Sequence, residues 1–177
     1  MAKYEEGVDL SVEIVAYNCR DMVLDCLHSI FEGAGEVTFE VIVVDNASRD
    51  STPEAVRQHF PQVPLIANEV NRWFRPANNQ GIRRSSGRYV LLLNPDTVLV
   101  TPGGFQKMVA YMDCNHGIGV LGAKLLNSDG AVQLDCERLP DLWWASFYCF
   151  YIHTLWPSNP VMRRRRYGDW DRRDGRE

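Results

Sequence analysis

The sequence predicts an α/β protein with a Rossmann-like fold, in which a mostly parallel central sheet is flanked by helices. Short apolar runs rich in β-branched residues alternate with segments of helical periodicity through residue 115, as in βαβ units. The runs are nearly continuous in hydrophobicity, which is typical of parallel strands buried on both faces. A chain of 177 residues is long enough for one such domain with a substantial core.

The elements follow one another in a regular order. The sequence predicts strands at 10–16, 39–44, 63–67, 89–93, 118–126 and 131–134, and helices at 21–32, from 50–54 to about 60, at 76–85 and at 105–114. Capping side chains with proline and glutamate at 50–54 begin the second helix, and Pro61 ends it. Gly87 is predicted to close the third helix as its C-terminal glycine, and 127–130 carries a turn signal.

The last part of the chain differs in character. We predict one domain at 1–140, and then an aromatic helix with a basic, flexible tail at 141–177. The aromatic run at 142–156 is shorter than the roughly 20 apolar residues that cross a bilayer. Either it packs on another protein surface, such as a second copy in a homodimer, or it lies on a membrane with the arginines of 163–166 against anionic lipid. The first alternative is favoured.

Composition excludes several classes of protein. A net charge of −4 and a pI near 5.6 disfavour a general nucleic-acid binder, whose domain is usually basic. The five cysteines are odd in number and form no CxxC pair, so neither a disulfide framework nor a zinc site is indicated. The first six residues are polar and acidic, unlike a signal peptide. We therefore expect a cytoplasmic protein, or one at the inner face of the membrane.

Polar residues follow three of the predicted strands, at 16–18, 45–48 and 94–97. Ligands of open parallel sheets bind outside the carboxyl ends of the strands. Asp45 suits a hydrogen bond from a base or ribose, and Asp96 suits a hard oxygen ligand of Mg²⁺ or Mn²⁺ that also binds substrate phosphates. Because no glycine-rich phosphate loop is present, metal and arginine must balance phosphate charge. The alternative is that these residues only form turns and cap helices.

At these same positions the sequence resembles the family 2 glycosyltransferases, especially their rhamnosyltransferase-like branch. The matching stretches are Ile14–Asn18, Glu40–Thr52, Ala77–Ile82, Gly87–Thr97 and Leu125–Gly130, with Gln133 and Arg138–Pro140. The resemblance implies a GT-A fold that is truncated after its donor-binding half. It also implies an inverting transfer from a UDP- or dTDP-sugar to a saccharide or lipid-linked acceptor, in cell-surface polysaccharide biosynthesis.

The resemblance also implies roles for individual residues. It assigns nucleotide binding to Ala16, Tyr17, Asn18, Asp45, Asn46, Ser48, Asn78, Asn79 and Asn94. Asp45 would contact the pyrimidine, and Asp96 would bind the metal, Mg²⁺ or Mn²⁺, and the diphosphate. Asn94 stands where the family has its first acidic residue, so metal binding without nucleotide should be weak. Arg75 is predicted to pair with the diphosphate or to remain a solvated loop residue.

Two departures from the family pattern bear on activity. Trp73 replaces a glycine, which predicts either a crowded donor pocket or a reshaped loop. The family's catalytic base is expected beyond Glu177, and its loss would remove about 100- to 10,000-fold of rate. Turnover by the 177 residues is therefore left open, and the alternative is a non-catalytic nucleotide-binding or dimerisation module derived from such an enzyme. A dinucleotide-dependent oxidoreductase is disfavoured, because no glycine fingerprint follows the first strand.

Overall fold

The structure, a computed structural model, describes residues 7–133, 142–156 and 160. The chain divides into two compact units, Met1–Leu121 and Gly122–Glu177. The first holds β1 (Leu10–Ala16), α1 (Arg20–Gly33), β2 (Phe39–Asp45), α2 (Thr52–His59), β3 (Leu65–Ala67), α3 (Phe74–Arg84), β4 (Tyr89–Leu93) and α4 (Gly104–Cys114), and the second holds α5 (Leu142–Cys149) and α6 (Ile152–Leu155). The predicted α/β alternation of the first unit is confirmed.

A four-stranded parallel sheet forms the centre of the first unit, with the strand order β3-β2-β1-β4. The register pairs Ala16 with Asp45 across β1 and β2, and Ile14 with Leu93 across β1 and β4. All four strands therefore end at one edge of the sheet. β1 lies between β2 and β4, which places the residues that follow those two strands on either side of the end of β1.

One face of the sheet carries the hydrophobic core. Val12 and Ile14 of β1 pack in a single buried cluster with residues of α1 and α4, such as Leu27 and Phe105. The apolar positions of α1 recur at helical spacing, so its buried stripe faces the sheet. Together with α3, which covers the other face, this packing explains why the runs at 10–16 and 39–45 are so apolar, since both of their faces are closed by helices.

The other face of the sheet, covered by α3, carries an unexpected buried acid. Glu13 on β1 is 1% exposed, and both of its carboxylate oxygens lack a hydrogen-bond partner among the described residues. A Cβ added at Gly81 of α3 would lie only 1.6 Å from Glu13 Oε2. Burial, and in smaller part the charge of Glu40, raise the pKa of Glu13 to about 7.

Gly87, which follows α3, is required for a different reason from the one predicted. α3 ends at Arg84, and Ser85 already has an extended backbone, so Gly87 is not the C-terminal glycine of that helix. A Cβ at Gly87 would lie 2.6 Å from the backbone nitrogen of Ser11. The Gly87 N–H also donates to Ser11 Oγ at 2.8 Å. Close approach to β1 therefore requires this glycine.

The predicted strands at 118–126 and 131–134 are wrong for the residues that the structure describes. A single antiparallel bridge joins Leu126 to Val132 across the predicted turn, and Leu134 lies outside the described residues. A strand needs a neighbour for its backbone groups, and propensity alone does not supply one. The turn itself is confirmed, with the Gly130 N–H bonded to the Asn127 carbonyl at 2.9 Å.

The structure describes only part of the second unit. α5, α6 and the turn between them contain exposed apolar side chains, including Leu142, Phe150 and Leu155. Within the described ranges, no helix combines the length and apolarity that crossing a bilayer requires. The predicted domain boundary at 140 and the predicted basic tail lie at residues outside the described ones, and both stay predictions.

Candidate functional site

The carboxyl edge of the sheet gathers the polar segments that the sequence singled out. Asp45 ends β2 and Asp96 follows β4, so two strand spacings, roughly 10 Å, separate their positions along the edge. The thiol of Cys19, in the loop after β1, lies within the field of both carboxylates. Its pKa is raised chiefly by burial and further by the negative charges of Asp50, Asp45 and Asp96. The two aspartates therefore flank the end of β1 on the same edge.

Asp45 is the most buried carboxylate of this edge. It is 1% exposed, and its Oδ2 accepts a hydrogen bond from the Ser48 N–H at 3.0 Å. Its Oδ1 has no hydrogen-bond partner among the residues that the structure describes. Buried acceptors are nearly always satisfied in folded proteins, so Oδ1 is an acceptor that a ligand N–H or O–H can use.

The loops after β1 and β2 are joined to each other by their own side chains. The Asn18 N–H donates to Ser48 Oγ at 2.9 Å, and Asn18 Oδ1 accepts from the Arg49 N–H at 2.8 Å. The Arg20 N–H donates to Asp50 Oδ2 at 3.0 Å. Asn18 itself has a positive φ of 50°, a conformation that asparagine tolerates better than most residues. Asn18 and Ser48 thus fix the shape of this edge.

A hollow of about 460 Å³ opens beside these loops, within the range of small-ligand sites. Three of the predicted residues line it, namely Tyr17, Asp45 and Ser48. Asn68 and Asn71, which follow β3, form another part of its wall. Neither asparagine was among the predicted residues, although both lie shortly after a strand, as the predicted polar residues do.

Arg49 and Arg57 add positive charge to the wall of the hollow. The carboxylate of Glu54 lies 3.9 Å from a guanidinium nitrogen of Arg57, and both side chains are largely exposed. Ala16, in contrast, lies in the core, and its carbonyl accepts the Asn46 N–H at 2.8 Å. Its side chain therefore shapes the edge from below.

Asn46 uses both ends of its side-chain amide to hold the segment between β3 and α3. Its Oδ1 accepts the Arg72 N–H at 2.8 Å, and its Nδ2 donates to Asn71 Oδ1 at 2.8 Å. Asn68 and Gln80 bond each other reciprocally at 2.8 and 3.0 Å. Asn46 is 3% exposed. Asn46 therefore supports the wall of the hollow through its hydrogen bonds to Asn71 and Arg72.

The residues predicted near the diphosphate lie on α3 and after β4. Asn78 is buried and donates from Nδ2 to the Phe74 carbonyl at 2.8 Å, whereas Asn79 and Arg75 are exposed. Asn94 and Asp96 are also exposed. Asp96 lies outside the hollow that Asp45 lines. The structure therefore places some of the predicted residues in the pocket and others on the open surface, and it buries Ala16, Asn46 and Asn78.

Asp96 is the metal ligand that the sequence predicts at this edge. Across residues 7–133, 142–156 and 160, no group of three or more His, Cys, Asp or Glu side chains could hold a metal ion. One exposed carboxylate matches the way Mg²⁺ is usually held, by one or two carboxylates together with substrate phosphates and water. The donor set thus fits a divalent ion that arrives with a diphosphate, and it does not form a protein cage.

The parallel sheet has a hollow of nucleoside size and two carboxylates at its carboxyl edge. This arrangement is typical of α/β proteins that bind nucleotides outside their strand ends. The sequence model of one family, described as glycosyl transferase family 2, matches residues 11–161. The chain belongs to that family.

Named relatives agree with this membership. The succinoglycan biosynthesis protein ExoO of Rhizobium meliloti is 32% identical over 169 residues, which cover 89% of this chain and 48% of the relative. The N-acetylglucosaminyl-diphospho-decaprenol L-rhamnosyltransferase of Mycobacterium tuberculosis is 28% identical, covering 72% of this chain and 44% of the relative. The chain therefore spans about half the length of these curated relatives.

Solved structures confirm the GT-A fold. Staphylococcus aureus TarS 1-349 in complex with UDP-GlcNAc superposes with a TM-score of 0.53 at 22% identity, covering 65% of this chain and 37% of that one. The mannosyltransferase PcManGT from Pyrobaculum calidifontis, in complex with GDP-Man and Mn²⁺, gives a TM-score of 0.54 at 21% identity, covering 72% of this chain and 38% of that one.

Proposed function

We propose that this chain is the donor-binding part of an inverting glycosyltransferase that uses a UDP- or dTDP-sugar with Mg²⁺ or Mn²⁺. The observation that carries the proposal is that Asp45, whose Oδ1 has no hydrogen-bond partner among the described residues, lines a hollow of about 460 Å³. The imide N–H of uracil or thymine is a donor of the right kind for this acceptor.

Asp96 is proposed to bind the diphosphate through the metal. The roughly 10 Å between the positions of Asp45 and Asp96 matches a ligand whose base and diphosphate lie at its two ends. When bound, a divalent ion supplies Lewis-acid stabilisation of charge on the leaving diphosphate. Arg75, exposed in the first turn of α3, is proposed to add positive charge there.

The acceptor is proposed to be a saccharide or a lipid-linked saccharide in the assembly of a cell-surface polysaccharide. Support comes from the names of the succinoglycan and decaprenol-linked relatives. Because the chain spans about half the length of those relatives, we propose the transfer step for an enzyme of their full length and not for these 177 residues alone. Exposed apolar residues of α5, α6 and the turn between them, such as Leu142, Phe150 and Leu155, support a homodimer contact or attachment to the inner face of a membrane.

Titration calorimetry tests donor binding. The full chain is titrated with UDP and with dTDP, each with Mn²⁺ and with EDTA. We expect Asp45→Asn to weaken both nucleotides by about 10-fold or more, because a hydrogen bond to a charged acceptor is lost. Asp96→Asn should remove the gain from Mn²⁺ and leave the EDTA value unchanged. The exposed Asp25→Asn on α1 is the matched control. Absence of nucleotide binding by the wild type would refute the proposal.

An assay of slow donor hydrolysis separates an enzyme from a binding module. Water replaces the acceptor in many sugar transfers, so a competent donor site should release nucleoside diphosphate from the matching nucleotide sugar. Nucleotide binding without hydrolysis of any tested UDP- or dTDP-sugar would favour a non-catalytic nucleotide-binding module. This second candidate function is favoured by one observation, that the chain spans only about half the length of its curated relatives.

A further inference from the structure

Trp73 adopts a backbone conformation that only glycine normally occupies. Its φ is 63° and its ψ is 172°, in a region where a Cβ is strained. Such strain persists only where the surrounding structure imposes it, and it concentrates at ligand sites. Trp73 precedes α3 directly, so the strain fixes the point at which the chain enters that helix.

Hydrogen bonds from the candidate site impose this conformation. The Trp73 N–H donates to Asn71 Oδ1 at 2.7 Å, and Asn46 Nδ2 donates to that same oxygen at 2.8 Å. Asn46 also accepts the Arg72 N–H at 2.8 Å. Because Asn46 is buried directly after Asp45, the backbone of Trp73 is tied to the end of β2.

The side chain of Trp73 gains little from the protein in return. It is 79% exposed, although burial of an indole is strongly favourable. Asn71, two residues earlier, lines the hollow together with Asp45 and the half-exposed ring of Tyr17. A strained backbone, bonded to a residue that lines the cavity, therefore carries a solvated aromatic ring, and the cavity already has one aromatic in its wall. Nucleobases stack on such rings, because every base has a flat π-face.

We propose that the Trp73 indole stacks on the base of the bound nucleotide and closes the hollow from the α3 side. The inference rests on the proposed function, because it assumes that a pyrimidine nucleotide occupies this hollow. Stacking needs neither phosphate nor metal. Trp73 thus gives the nucleoside an affinity that is independent of the divalent ion, in a site where a single exposed carboxylate, Asp96, serves that ion.

The test uses uridine and UDP, both in EDTA, with the full chain. Trp73→Gly should weaken both ligands by a similar factor of about 10 or more, and Trp73→Phe should keep most of the affinity. Phe74→Ala is the matched control, since Phe74 is the neighbouring aromatic and is 59% exposed. It should leave both affinities unchanged. Trp73→Gly should also raise the melting temperature by about 2–4 °C, because strain is relieved.

The two outcomes that overturn this inference differ from those that overturn the proposed function. If Trp73→Gly binds uridine and UDP as the wild type does, while Asp45→Asn shows the expected loss of nucleotide affinity, then Trp73 does not stack on the base. The proposed donor site is then unaffected. A variant that loses both affinity and thermal stability shows that Trp73 supports the loop and does not contact the base. Absence of nucleotide binding by the wild type instead overturns the proposed function itself.

Discussion

The buried acid on β1 makes the stability of this protein depend on pH in the neutral range. Glu13 is 1% exposed and has no hydrogen-bond partner among the described residues, and its pKa is raised from 4.5 to about 7. The folded state holds this proton more tightly than the unfolded state does. The contribution of Glu13 to the unfolding free energy is therefore fully present below about pH 4.5 and is lost as the pH rises through 7.

The size of the effect follows from the same difference. At about 1.36 kcal/mol per pH unit, the difference between 4.5 and about 7 corresponds to about 3 kcal/mol in total, most of it lost between pH 5 and 8. Glu40, on the same face of β2, adds a smaller charge effect. Burial raises its own pKa, but hydrogen bonds from Ser11 and Ser86 outweigh that and hold the pKa low, so Glu40 stays ionised through this range.

Urea unfolding of the full chain at pH 5, 6, 7 and 8 measures this dependence. We expect the wild-type midpoint to fall by about 1 M over that range, and Glu13→Gln to be nearly flat because its amide does not ionise. Glu32→Gln, at an exposed position on α1, is the control and should follow the wild type. A wild-type midpoint that stays constant, or a Glu13→Gln variant with the wild-type slope, would refute the reasoning.

Three further predictions concern packing, surface charge and the support of the hollow. Gly81→Ala should cost about 1–3 kcal/mol in urea unfolding, because its Cβ would meet Glu13 Oε2 at 1.6 Å; Glu13→Ala should rescue most of that loss, and an additive double variant would contradict the contact. Arg88→Ala removes ion pairs of 2.7 and 2.9 Å to the partly exposed carboxylates of Asp9 and Asp113. It should lower the free energy of unfolding by roughly 1 kcal/mol, and the loss should be smaller in about 0.5–1 M salt. Asn46→Ala should release residues 68–73, seen as faster amide hydrogen exchange there, and protection equal to the wild type would show that Asn46 does not hold them.

Periodicity predicted most of the first unit because its elements bury regular faces. The strands 10–16 and 89–93 match the structure residue for residue, and α1 differs from its prediction by one residue at each end. The strand predicted at 118–126 failed because this segment has no neighbouring strand in the described structure, and a single bridge at Leu126 is its one pairing there. Strand propensity describes a fit to a neighbour, and a single sequence does not name that neighbour.

The candidate site was predicted by residue type better than by role. The rule of polar residues after strands found Asp45 and Asp96 because parallel strands share one carboxyl edge. It did not predict that the side-chain amide of Asn46 forms hydrogen bonds to a neighbouring loop, because partners distant in sequence are not visible in a local pattern. Glu13 was missed for the converse reason. A single charge in an apolar strand is usually solvated, and here α3 covers it.

The hydrogen bonds between the β1 and β2 loops have a consequence for how a ligand arrives. Asn18, Ser48 and Asp50 join the two loops at three points, so these segments move as one body. A site of this kind is preorganised, and little conformational entropy is lost when it is filled. Nucleotide capture at this edge should then proceed at a rate set by diffusion and charge, and discrimination among nucleotides should appear in how fast each one leaves.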